Sequence, residues 1–413
     1  MSARVAIVCG LLNGRLNGAE RQIIRLANGL TKAGVSVTLV SKEGPAESLG
    51  LLPQIPHRGW YAEPPRMALA ARALQRCAAA KRIVERIIVA LVCRARVRAA
   101  QGRSTSLIDA IIVRLGRWVR GAKGDMIAEA MSGIDTDVVI AFLTDPSRNV
   151  TLALWGKQTP LVVAVRSDPT RDIRPQPWEA LKYLTHRRAS LITINARSLI
   201  THLEGFPEIG EGRVRFVPNI VIPTQLTTGT ARQFICIGRL EPHKRVGLAI
   251  QAFARIAHQL PDWQLVIVGD GAERGALVEL ADELGVSERT DFLGVVSDVL
   301  AILSTGGLLV HPSGREGMPN AVMEALQCGV PALVMHDSPG AVELIDVAPA
   351  PAGIVIDEND VDGLARAMFD LASDRVARRR LGDAGRRAMM SHTEAAAVEV
   401  WGQVITAVAP TSR

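Results

Sequence analysis

The residues best equipped for chemistry lie between His311 and Leu333, in HPSGREGMPNAVMEALQCGVPAL. Glu316 stands in a loop after an apolar strand, and Glu324 follows eight positions later, inside a helix expected over 319–328. Pro319 suits a helix start, where its missing N–H costs nothing. Gly329 and Pro331 end the helix. The N–H groups of Met318, Asn320 and their neighbours then point out of the helix start, which fits an anion or a ring of hydroxyls. Two carboxylates at a fixed separation can accept hydrogen bonds from two sets of hydroxyls, such as those of a sugar and a ribose.

A second constellation is GRLEPHKR, from Gly238 to Arg245. A strand ends in Gly238, and Arg239 and Lys244 stand around the following turn. Two cations at the carboxyl end of a strand are what a diphosphate leaving group requires. Each well-aimed donor is worth roughly 2.7–4 kcal/mol in the transition state. VGDG (268–271) and FLG (292–294) are further strand-to-loop turns on the same rim. Alone, each motif has a plainer meaning: a helix cap with a solvated face, or surface charge. GDGAERG (269–275) also misses the dinucleotide fingerprint, because its third glycine is one position late. A cationic and a carboxylate motif at strand ends of one domain together mark a site.

The elements that must hold these residues alternate between strand and helix. VAIVCG (5–10), a Gly/Asn-rich loop with Gly14 and Gly18, a helix closed by Gly34 and the strand VSVTLVS (35–41) form a βαβ unit. Strands recur at TDVVIAF (136–142), PLVVAVRS (160–167), SLITIN (190–195) and RVRFVPN (213–219), and the polar run from Thr224 to Ala231 is a linker candidate. The pattern restarts with RQFICIGRL (232–240) and WQLVIVGDG (263–271), and continues through TDFLGVV (290–296), GGLLVHPS (306–313) and VPALVM (330–335). A chain of 413 residues is too long for one ordinary core. The expected fold is therefore α/β, with two Rossmann-like domains facing a cleft, at 1–220 and 221–385. A helical tail at 386–413 is placed to cross back to the first domain.

With 48% hydrophobic and 22% charged residues, the composition is globular. The opening residues read as a strand rather than a signal peptide. Apolar runs such as Ile87 to Cys93 are far too short to span a bilayer. Five scattered cysteines without a CxxC pair argue against disulfides and zinc, and for a reducing cytoplasm. The net charge of +7 is concentrated from Arg66 to Lys123, where fourteen Lys and Arg face only Glu85 and Asp109. This stretch, 66–123, interrupts the α/β rhythm as a basic helical insertion.

With these motifs on the page, the chain resembles glycosyltransferase family 4, the retaining GT-B enzymes, and is similar to bacterial members acting on lipid-linked saccharides. The resemblance rests on EGMPNAVME from Glu316 to Glu324 with ALQCGVP after it, on GRLEPHK, VGDGAERGAL and FLG, and on the N-terminal NGAERQIIRLANGL. It implies that Glu316 holds the donor sugar's hydroxyls beside Gly317, Met318, Pro319 and Asn320, and that Glu324 grips the ribose. It also implies that Arg239 and Lys244 neutralise the diphosphate, that Leu293 and Val295 line the base, and that Gly18 closes on the phosphates. Catalysis then falls to Arg239, Lys244 and Glu316, with retention and without metal.

One departure stands out. Where many members of the family carry a histidine near the acceptor, the strand PLVVAVRSDP ends in Arg166, Ser167 and Asp168. Arg166 is a candidate donor- or acceptor-side residue, and an Arg166–Asp168 loop pair is an equal reading. The lone DxD, Asp135-Thr136-Asp137, precedes its strand and reads as a turn rather than a metal site.

The expectation is a hexosyltransferase moving a hexose or N-acetylhexosamine from a nucleotide diphosphate sugar, UDP ahead of GDP, to a saccharide or polyprenyl-linked acceptor in polysaccharide or glycan synthesis. No cofactor and no metal are expected. The insertion is read as docking on an anionic membrane surface, which would place the protein on the inner face of the cytoplasmic membrane. Its single aromatic, Trp118, gives no support for nucleic acid binding. A sugar-nucleotide 2-epimerase of the same architecture and a catalytically silent sugar-nucleotide-binding subunit are the alternatives.

Overall fold

Short runs of β-branched and aliphatic residues with no polar alternation can be buried on both faces, which is how parallel strands read. The computed structural model describes residues 3–10, 12, 18–42, 50–60, 78–120, 123–169, 177–222, 231–314, 316–346 and 350–410. Gly14, most of the linker candidate and the first residues of the insertion (66–77) lie outside them. The chain divides into two compact units. The first is Met1–Asn195, Leu199–Val217 and Ala397–Arg413; the second is Ala196–Ser198 and Pro218–Ala396.

In the first unit the strands are β1 (Arg4–Val8), β2 (Ser36–Ser41), β3 (His57–Gly59), β4 (Val138–Phe142), β5 (Leu161–Val165), β6 (Leu191–Ile194) and β7 (Val214–Phe216). They form one sheet in the order β3-β2-β1-β4-β5-β6-β7. Its helices are α1 (Gly18–Lys32), α2 (Ala78–Ala100), α3 (Ser106–Arg120), α4 (Lys123–Ala130), α5 (Thr144–Leu154), α6 (Pro177–Arg188) and α7 (Ile200–Glu204). The described part of the insertion is thus α2 and α3, with α4 following. Ile88, Val92, Ala95, Ile112 and Val113 pack against Leu152 of α5 and Leu181 and Leu184 of α6.

Polar anchors also hold the insertion on the first unit. Asp109 accepts from Thr105 (2.8 Å) and from the Tyr183 hydroxyl (2.9 Å). Arg96 donates to buried Glu208 from its Nε, at 3.1 and 3.3 Å, and from one terminal nitrogen, at 2.7 Å. Glu85 and Asp109, the two acids of the insertion, are both buried, at 9% and 4% exposure.

The second unit repeats the plan. Its strands are β8 (Gln233–Ile237), β9 (Gln264–Val268), β10 (Thr290–Gly294), β11 (Leu308–His311), β12 (Ala332–Met335) and β13 (Gly353–Ile356). Their order is β10-β9-β8-β11-β12-β13, every pair parallel. Its helices are α8 (Val246–Ile256), α9 (Arg274–Glu283), α10 (Val299–Ser304), α11 (Asn320–Gln327), α12 (Pro339–Ile345), α13 (Val361–Ser373) and α14 (Arg375–Met389). Phe234 stacks near Phe253 (5.8 Å) and Trp263 (4.6 Å) in a core under α8 and α13.

The strand order reverses direction between β8 and β11, as it does between β1 and β4. In open parallel sheets, ligands bind outside the carboxyl ends of the strands at such a switch point. The last helix, α15 (Glu394–Val408), carries Trp401, 2% exposed, onto Phe142 of the first unit with ring centroids 5.8 Å apart. Among the described residues no helix is long and apolar enough to cross a membrane.

Candidate active site

The switch point of the second unit collects both sequence constellations. β8 ends before Gly238, and the chain turns through Arg239 to a short 3-10 turn at Pro242–Lys244. β11 ends at His311, and the loop carrying Glu316 leads into α11. The Lys244 ammonium pairs with the Glu316 carboxylate, and both side chains are largely enclosed. Ser313 donates to the same carboxylate oxygen at 3.0 Å. Burial alone would raise the Glu316 pKa, but Lys244 above all outweighs it, and the carboxyl is held below its usual range. His311, 3% exposed, is driven down to about 4 by burial against the pull of Glu316, with Lys244 and Arg245 adding to the fall. A neutral imidazole therefore lies beside a fixed carboxylate–ammonium pair.

Gly317, Met318 and Pro319 are buried, and Pro319, in extended conformation, caps α11. The helix starts at Asn320, one residue later than the spacing predicts. Its first backbone bond runs from Met323 to the Pro319 carbonyl, so three N–H groups precede it. Asn219 fixes this loop by donating to the Met318 carbonyl (3.3 Å) and to the Asn320 side chain (3.0 Å). Glu324 lies half-buried one turn into the same helix.

Arg239 stands apart from the Lys244–Glu316 pair. Its side chain is 63% exposed and pairs with Glu241. Leu293 and Val295, at the end of β10, are 48% and 63% exposed apolar residues. The VGDG turn packs on the GRL turn with no room for side chains: a Cβ on Gly269 would sit 1.9 Å from the Gly238 carbonyl oxygen, and one on Gly271 2.3 Å from that of Leu240. Gly275, the glycine that arrives one position late, has open space around it.

Arg245, Ser313, His311 and Asn219 are the residues that sequence reasoning passed over. Arg245 takes a left-handed backbone conformation (φ 50°) and reaches three other strand ends. It donates to the Pro312 carbonyl (2.8 Å), to Asp337 (2.6 Å) and to Asn359 (3.3 Å). Its neighbour Lys244 carried the available signal, a pair of adjacent cations at one strand end. Ser313 and Asn219 each follow a proline just past a strand, which reads as turn chemistry.

In the first unit, Gly18 opens α1, and residues 13–17 before it lie outside the described residues. Arg166 follows β5 and donates to the Val217 carbonyl at 3.2 Å. Its guanidinium lies 5.3 Å from the Phe142 ring and 5.6 Å from the Trp401 ring. Burial of this head lowers its pKa to about 9. The first unit and the last helix thus provide its contacts. Asp135 and Asp137 both pair with Arg4 at the amino ends of β1 and β4, the edge opposite to where such sheets hold ligands.

The architecture is that of the GT-B class, two Rossmann-like α/β units. Anabaena Alr3699/HepE, solved in complex with UDP, matches 98% of this chain and 100% of its own, with a TM-score of 0.69 at 16% identity. Residues 222–388 match the family model described as glycosyl transferases group 1, and the chain resembles bacterial enzymes of that group. A GDP-mannose-dependent monoacylated alpha-(1-6)-phosphatidylinositol monomannoside mannosyltransferase of Corynebacterium glutamicum is 33% identical over 189 residues, 43% of this chain and 47% of the relative. An exopolysaccharide phosphotransferase of Streptomyces coelicolor, SCO2592, is 26% identical over 287 residues, 67% of this chain and 29% of the relative. The chain spans less than half the length of the first curated relatives it matches.

Proposed function

We propose that the protein is a retaining, metal-independent glycosyltransferase that moves a hexose or N-acetylhexosamine from a nucleotide diphosphate sugar to a lipid-linked or growing saccharide. The observation that carries this reading is the Lys244–Glu316 pair at the switch point, in the loop that leads into α11, whose N-cap residue Pro319 makes no side-chain cap. An arriving diphosphate offers Lys244 more negative charge than Glu316 does. The ammonium then turns to the leaving group, and the released carboxylate accepts the sugar's hydroxyls. Arg239, exposed on the same turn, supplies a second cation as the nucleotide departs. The α11 N–H groups and the buried Gly317–Pro319 backbone hold the sugar against Glu316, and Glu324 takes the ribose. On the resemblance, the new bond forms on the face the nucleotide leaves. Support for the base is divided, since the C. glutamicum relative is named for GDP-mannose and HepE was solved with UDP; UDP is the choice made from the sequence.

The insertion supports a peripheral position on the cytoplasmic face of the membrane. Ile83 (59% exposed), Ile87 (45%) and Val97 (58%) stand among exposed Arg82, Arg86 and Arg94 on one side of α2, while both acids are turned inward.

The test is nucleotide release from a panel of UDP- and GDP-sugars, with a membrane extract as acceptor source and EDTA present. Release of one nucleotide should be unaffected by EDTA and fall about 100- to 1,000-fold in Lys244→Ala and Glu316→Gln. Interconversion of the sugar without acceptor would establish an epimerase instead. Nucleotide binding with no turnover of any donor would point to a silent subunit or to an acceptor that the extract does not supply.

A further inference from the structure

The face of α14 turned away from its own unit takes no part in the proposed reaction. Arg375, Arg379, Arg380 and Arg387 are all exposed there, and with Val376 and Asp383 they line a shallow recess of about 430 Å³. Val376, Arg380, Asp383 and Arg387 follow one another at helical spacing along a single stripe, which Met390 continues just past the helix end. The stripe runs for about 21 Å at 1.5 Å per residue. Its two ends are apolar and open to solvent: Val376 is 79% exposed and Met390 75%. The one acid, Asp383, is paired with Arg386 at 2.6 Å. Arg378 behaves differently, donating to the Ala372 carbonyl at 2.7 Å and stacking over Trp263 at 5.3 Å. The helix thus separates arginines that build the fold from arginines that face outward.

What sets this face apart is the arginine row, with one paired acid in it and an open apolar side chain at each end. A flat anionic interface accounts for both features, with phosphates for the guanidinium groups and a headgroup–acyl boundary for the apolar side chains. We propose that α14 is a membrane-contact element of the second unit, laid on anionic phospholipid headgroups. This contact is separate from the insertion and independent of which reaction the protein performs.

The experiment uses the full chain with Cys77→Ser and Cys93→Ser, carrying a polarity-sensitive fluorophore on Val376→Cys. Vesicles of mixed phosphatidylglycerol and phosphatidylcholine should shift its emission to the blue, and phosphatidylcholine alone should not. Arg379→Glu with Arg380→Glu should abolish the shift and weaken partitioning at least about 30-fold, taking each arginine as about 1 kcal/mol near the surface. Arg82→Glu with Arg86→Glu should weaken binding yet leave the shift intact at saturating lipid. Vesicle binding with an unshifted label would overturn the α14 contact and leave docking by the insertion standing. Absence of vesicle binding would overturn both. An equal shift produced by heparin without vesicles would assign the face to a soluble polyanion instead of lipid.

Discussion

At the scale of single residues, the site is a set of charges whose values depend on one another. His311 shows this with a measurable consequence. Its folded-state pKa is about 4, against about 6.5 in an unfolded chain. Between these values the unfolded chain binds a proton that the folded chain refuses. The stabilisation from neutral His311 is therefore complete above about pH 6.5 and is lost as the pH falls towards 4, by up to about 3 kcal/mol. His186 and His392 are also lowered by burial and act in the same direction. Urea unfolding followed from pH 7 to pH 4 should show stability falling more steeply in the native protein than in His311→Gln. Equal slopes would mean that His311 does not stay neutral in the folded protein.

At the scale of elements, the site is built by backbones that approach more closely than any side chain permits. A Cβ on Gly340, at the start of α12, would lie 1.2 Å from the Gly317 carbonyl oxygen. Gly340→Ala should therefore displace the Glu316 loop and abolish nucleotide binding in titration calorimetry. Gly275→Ala, in the first turn of α9 with open space around it, should preserve binding and stabilise by about 0.5–1 kcal/mol. Loss of binding in both variants, or in neither, would contradict this division of roles. Such closeness is also what the sequence conceals. The strands around the site were legible to within a few residues, because VPALVM and GGLLVHPS are continuous apolar runs ending in turn residues. Glu316 and Lys244 were legible because each stands just past such an end. Their pairing with each other was not, since it joins residues 72 positions apart. Nor was Arg245, whose partners lie on three other strand ends. β3, His-Arg-Gly, holds no apolar residue that would mark it as a strand.

At the scale of the whole molecule, the chain path leaves the first unit after β7 and returns to it only at Ala397. The return is held by an aromatic anchor. Trp401 is almost wholly buried, lies against Phe142 and covers one side of the Arg166 guanidinium. Removing a buried indole costs about 3–5 kcal/mol in lost burial and unfilled space. Here it also strips Arg166, already depressed by burial, of one of its two ring contacts. Trp401→Ala should therefore weaken the first unit selectively. Amide exchange should accelerate in β4 and β5, which carry Phe142 and lead to Arg166, while β8 to β13 keep their native protection. Equal acceleration in the second unit would show that Trp401 supports the molecule by a route other than the packing of Phe142 and Arg166. Exchange confined to the first unit would mean that the end of the chain is structurally part of its beginning, with the Arg166 loop as the element that depends on it.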